Sequence, residues 1–145
     1  MTNKQIRWEY LLENPEDELE EVLSGEIWSK VRKAWGYKNP PHGSEVVHHI
    51  YRGTVGKKHD INSLLITVSP AAHEYCHKCP KHGVIACLWK KIKKREYDFK
   101  EVKEATGRNV TALVQSWVEN GDVTNPYYVD LANDLLRIAK WRQLK

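Results

Sequence analysis

No run of about 18 apolar residues occurs anywhere in this chain of 145 residues, which leaves no sequence candidate for a membrane-spanning helix. Cysteine is scarce as well. The three present, Cys76, Cys79 and Cys87, are an odd number packed into one short stretch, and so cannot form a disulfide framework. Free thiols or metal ligation in a reducing compartment fit them better. The N-terminal segment MTNKQIRWEYLLENPEDELEEVL turns acidic where a secretory signal would be apolar. The expectation is a cytoplasmic protein that does not engage a membrane, of a length suited to one domain, 1–145.

What the chain does have is charge segregated along its length. Residues 1–26 hold eight acids against Lys4 and Arg7, whereas residues 76–108 hold ten Lys or Arg against four acids. The basic half includes the run KKIKKR, with Lys90, Lys91, Lys93, Lys94 and Arg95, followed further on by Arg108. Such a stripe reads either as a solvated helix face or as a phosphate-contacting surface, because phosphate contacts supply most sequence-independent affinity for nucleic acid.

Periodicity and punctuation predict helices at both ends. Residues 3–13 and 16–24, split by Asn14-Pro15, and residues 26–35 read as three helices, ended by Gly36 and the loop YKNPPHGS. In the middle, EVVHHI and LLITV have the β-branched character of short strands around the polar stretch RGTVGKKHDINS. Ser69-Pro70 then starts a helix, with the hydroxyl as cap and proline at the first helical position. Beyond residue 96, Asp98 and Asn109 are cap residues for two short helices around Thr106-Gly107. The second places Val110, Leu113, Val114 and Trp117 on one face. A last helix over 126–142 spaces Tyr128, Leu131, Leu135, Ile138 and Trp141 as a core stripe or a homodimer seam.

Five of the seven histidines fall within residues 45–77, and their spacing differs by element. His73 and His77, four apart on a helix, lie one above the other and can converge on one ion. His48 and His49, adjacent on a strand, point to opposite sides and are poorly placed to hold the same ion. One of that pair therefore completes a three-imidazole site while the other stays unliganded nearby. Three protein ligands with open positions suit a catalytic divalent ion, since the vacant positions take water or substrate.

The order HHI, a glycine-containing loop, an Asn, a strand and Pro-x-x-His-x-x-x-His, over about residues 45–77, resembles the HNH endonucleases of the ββα-metal (His-Me finger) superfamily. The histidine spacing is most similar to that of colicin-type DNase domains. The resemblance implies an α+β, predominantly helical fold with a ββα-metal finger flanked by N- and C-terminal helices. Residues 1–38 would be a helical lead-in, 44–95 the HNH core and 96–145 the C-terminal helices. It also implies a metal-dependent DNA endonuclease: His48, His73 and His77 hold one divalent ion (Mg²⁺, Mn²⁺, Ni²⁺ or Zn²⁺), and His49 is the general base. Asn62 would orient the loop that carries the base. It lies eleven residues before His73, where the family places Asn nine before, and Leu64 stands at the expected position. The loop is then two residues longer, or Asp60, His59 or a backbone group tethers the base. A free-standing nuclease of this kind resembles phage or prophage products acting in a bacterial or phage-infected host cell.

Two other readings stand beside it. Cys76, Cys79, His82 and Cys87 could form a structural zinc site, a second metal, or else remain buried or free thiols. With such a zinc, residues 98–119 could serve a DNA-binding regulator as a helix-turn-helix in which Arg108, Asn109, Thr111 and Gln115 face bases; the plainer alternative is a helical hairpin packed on the core. The acidic N-terminal helices could instead be the interface of a module that binds no nucleic acid.

Overall fold

The structure, a computed structural model, describes residues 2–23, 45–51 and 61–143. The expected helix over 26–35, the YKNPPHGS loop, His42, and the stretch 52–60 with His59 and Asp60 lie outside those residues. The described elements are predominantly helical with a small two-stranded sheet. In chain order they are α1 (Asn3–Glu13), β1 (Val46–His49), a 3-10 turn (Asn62–Leu64), β2 (Leu65–Val68), α2 (Pro70–Lys78), α3 (Pro80–Lys93), α4 (Phe99–Thr106), α5 (Val110–Glu119) and α6 (Pro126–Gln143).

Local chemistry accounts for most of these boundaries. Thr2 and Gln5 close a capping box on α1. Ser69 Oγ accepts from Ala72 N–H, with Pro70 at the first position of α2. Asp98 and Asn109 accept from Glu101 and Ala112 N–H at the starts of α4 and α5. Gly107, at φ 72°, takes the left-handed conformation that ends α4. The strands pair antiparallel, with His48 opposite Ile66 and His49 opposite Leu65.

The expected helix over 16–24 does not form among the residues described there; residues 18–22 are turns. Tertiary bonds compete for its polar groups. Glu18 N–H donates to the Thr67 carbonyl at 2.8 Å, and the Glu18 carboxylate accepts from Thr67 N–H at 2.7 Å, Tyr10 Oη at 2.8 Å and Lys94 Nζ at 2.5 Å. The segment thus docks along β2, placing Leu19, Val22 and Leu23 in the core.

That core is one cluster. Ile66 and Val68 of β2 meet Ile85, Leu88 and Ile92 of α3, Val110 and Val114 of α5, and Tyr128, Ala132, Leu135 and Ala139 of α6. The last four keep helical spacing, but only Tyr128 and Leu135 belong to the stripe expected from the sequence; Leu131 and Ile138 are half-buried against the core, and Ala132 and Ala139 take the buried positions. Trp141, expected on that stripe, is instead 61% exposed. Helix α3 runs through the middle, packing on α2, α5 and α6, and α1 lies across both strands. This arrangement suspends β1 between α1 and α2.

Candidate metal centre

Along β1 the alternation of a strand directs successive side chains oppositely. Burial does not follow that alternation along β1, since Val46 is exposed while His48, on the same face, is 8% exposed and His49 is half-buried. The His48 ring lies against the His73 and His77 rings. His48 therefore faces α2. That helix buries Ala71, Ala72, Tyr75 and Cys76 against the sheet and α3, and leaves His73 half-buried and His77 exposed on the adjoining face.

The three rings close into a triangle. Their centroids stand 5.1 Å apart for His48 and His73, 5.3 Å for His48 and His77, and 4.5 Å for His73 and His77. One ligand nitrogen from each lies within 4.8 Å of the other two. His73 Nε2 and His77 Nε2 are 3.0 Å apart, one donating to the other. With metal–nitrogen bonds of about 2.0–2.1 Å, neighbouring ligands sit about 3.3 Å apart around a tetrahedral ion and about 2.9 Å apart in cis octahedral positions. The pair is thus already at chelating distance, and the group could hold a metal ion.

Electrostatics keep the lone pairs available. Burial, reinforced by the neighbouring His73, His77 and His49, pushes the His48 imidazole down to about 3. Burial and the charges of His77 and His49 likewise lower His73. Both rings stay neutral near neutral pH, the form that binds a cation.

His49 is not part of the triangle but opens on the same cleft, of about 590 Å³, whose walls include Arg7, Val47, Tyr51, Pro80 and Val84 with the four histidines and Cys76. Arg7 Nη1 lies 3.4 Å from His49 Nε2. A guanidinium has no acceptor, so Nε2 accepts and the His49 proton resides on Nδ1. The sequence reading did not find Arg7. It comes from α1, 42 residues earlier in the chain, and its one local signal is being a cation in an acidic segment.

Other expected residues land elsewhere. Asn62 is exposed in the 3-10 turn, where its carbonyl accepts from Leu65 N–H, and it does not line the cleft. The set Cys76, Cys79, His82 and Cys87 does not converge as a group among the described residues. His82 is drawn away: its ring stacks on Tyr128 with centroids 4.1 Å apart, and Nδ1 pairs with Tyr75 Oη at 3.3 Å. Cys76 and Cys87 instead converge on His48, again within 4.8 Å.

One lysine of the basic run is consumed inside the fold, and the others pair with acids nearer the surface. Lys91 is 0% exposed, donating to Tyr10 Oη at 3.1 Å and Glu96 Oε2 at 3.2 Å, so it cannot contact phosphate. Lys94 is tied to Glu18 and Glu96, Lys93 to Asp134 and Lys90 to Glu21. Arg95 and Arg108 are exposed. In the α4–α5 pair, Thr111 is buried at 5% exposure, donating to Asn109 Oδ1, and Gln115 donates to Glu119. Since α5 also packs on α6, three of the four side chains proposed to face bases, Asn109, Thr111 and Gln115, are already bound within the hairpin.

No helix of the described residues is long and apolar enough to cross a membrane. No protein-family model, curated protein or solved structure matches the chain.

Proposed function

We propose that this protein is a metal-dependent endonuclease that hydrolyses phosphodiester bonds of DNA, as its resemblance to the HNH endonucleases implies, with a ββα-metal finger formed by β1, β2 and α2. The observation that carries the reading is the division of labour among four imidazoles. His48, His73 and His77 converge, while His49, next along the strand, faces the same cleft outside the triangle. A site that only bound a structural ion would have no use for the fourth ring or for an arginine beside it.

His48, His73 and His77 would hold a divalent ion, which when bound would supply Lewis-acid charge to a phosphodiester in the cleft. The chain's own groups do the rest. Arg7 donates to His49 Nε2 before substrate arrives, which fixes the tautomer with its lone pair directed into the cleft. An entering phosphate offers the guanidinium a charged, bidentate acceptor and draws it from the imidazole. The freed Nε2 then takes the proton of the attacking water, while Arg7 holds the phosphate in line. Proton transfer of this kind is worth roughly 10²–10⁴-fold.

Supercoiled plasmid incubated with the protein and Mg²⁺, Mn²⁺ or Ni²⁺ tests the reading. Nicking or linearisation that is abolished by EDTA and in His49→Ala supports it. Binding without cleavage in every metal contradicts it, and favours the alternative in which residues 98–119 act in a zinc-stabilised regulator.

A further inference from the structure

His48 belongs to two triangles. On one side stand His73 and His77; on the other, within 4.8 Å, stand the thiols of Cys76 and Cys87. The two cysteines are 3% and 0% exposed. Helix packing creates this pair. A Cβ on Gly83 would meet Cys76 Cα and Cβ at 2.9 Å, so glycine is what lets α3 close against Cys76. Cys87 follows Gly83 by four residues on the same face of α3, directly beside the seated Cys76.

We propose that His48, Cys76 and Cys87 form a second, inner cation site selective for thiophilic ions such as Cd²⁺ or Zn²⁺, overlapping the three-imidazole site through the shared His48. Thiolate and imidazole ligands select these soft or borderline cations over Mg²⁺ or Mn²⁺. The charge balance suits each site to its depth. A divalent ion that displaces the two thiol protons to solvent leaves a neutral inner complex, which a buried position tolerates. The same ion on three neutral imidazoles keeps its double charge, which suits an open cleft and an anionic substrate. Cys76 lines the cleft beside His48, giving an ion a route inward. Tetrahedral thiolate ligands stand about 3.8 Å apart, so binding needs to draw the group together by no more than about 1 Å. An ion held inside withdraws His48 from the outer triangle and weakens it. That last consequence rests on the three-imidazole reading; the inner site itself does not.

The test adds Cd²⁺ to the reduced full-length protein and follows sulfur-to-cadmium charge-transfer absorption. The band is expected at one ion per chain in the wild type, in Cys79→Ser and in His77→Ala, and is expected to disappear in Cys87→Ala. X-ray absorption of the cadmium-loaded wild type, which needs no variant to fold, is expected to count two sulfurs and one imidazole nitrogen among the ligands. Cadmium loading should also weaken Ni²⁺ binding by about tenfold or more in the wild type. A wild-type shell of oxygen and nitrogen alone, or a band that survives in Cys87→Ala and vanishes in Cys79→Ser, overturns the inner site. Either of those results leaves plasmid cleavage and its dependence on His49 untouched, so the two readings fail separately.

Discussion

Arg7 of α1 and His49 of β1 meet at 3.4 Å across the mouth of the cleft, with the guanidinium donating to the imidazole Nε2. Because the donor cannot reverse its role, this contact decides which nitrogen of His49 carries the lone pair. Arg7→Ala should therefore lower plasmid cleavage by about ten- to a thousandfold, through the lost phosphate contact and the unfixed tautomer. His49→Ala should lower it by about 10²–10⁴-fold. Neither change should weaken Ni²⁺ binding, and calorimetric titration of both variants checks that. Loss of metal affinity in His49→Ala would mean that His49 is itself a ligand.

Much of this arrangement was legible in the sequence, and the parts that were not share a cause. The caps at Ser69-Pro70, Asp98 and Asn109 and the glycine at 107 are local signals, and each marks a helix boundary where expected. That one of His48 and His49 would join His73 and His77 followed from strand and helix periods; that it would be His48 was implied by the resemblance to the HNH endonucleases. Arg7 could not be found that way, since nothing local ties α1 to β1. The turns at 18–22 were hidden for the same reason: Glu18 is claimed by Thr67 and Lys94, both distant in sequence. Lys91 did carry a signal. It lies at helical spacing from Val84, Cys87 and Leu88, on the apolar face, but the charge run around it read more strongly. The CxxC spacing of Cys76 and Cys79 likewise masked the tertiary pair of Cys76 with Cys87.

Acid should destabilise the metal-free fold through the depressed histidines. The folded protein holds His48 down to about 3, against 6.5 when exposed, so below about pH 6.5 the unfolded chain binds more protons than the folded one. The stabilisation is full above about pH 6.5 and is lost as pH falls toward 3, with a slope of up to about 1.4 kcal/mol per pH unit for each such group. His73 and His82 are lowered in the same direction. Thermal midpoints measured from about pH 7.5 to about pH 4 should fall, and less steeply in His48→Leu.

Gly83→Ala should destabilise the protein by about 1–3 kcal/mol, because the added methyl meets backbone and Cβ of Cys76 at 2.9 Å and must push α2 from α3. Urea unfolding reads the loss. The same shift should displace His73 and His77 from His48, so Ni²⁺ affinity should drop with stability.

Lys91 and Arg95 should separate cleanly although both lie in one basic run. Lys91→Ala leaves Glu96 and Tyr10 without their buried cation and should cost about 3 kcal/mol. Arg95→Ala, at an exposed position, should change stability by less than about 0.5 kcal/mol. If Arg95 contacts phosphate, its loss should reduce the salt dependence of DNA binding by about 0.9 in log–log slope. Binding isotherms in EDTA at several salt concentrations, beside unfolding curves, distinguish the two effects.

Counting ions bound per chain, with affinities from calorimetric titration of Ni²⁺ into the wild type and into His48→Ala, His73→Ala and His77→Ala, tests the convergence of three imidazoles most directly. One ion per wild-type chain, weakened at least about tenfold by each single substitution, is the predicted result. Wild-type affinity retained in all three variants would contradict it.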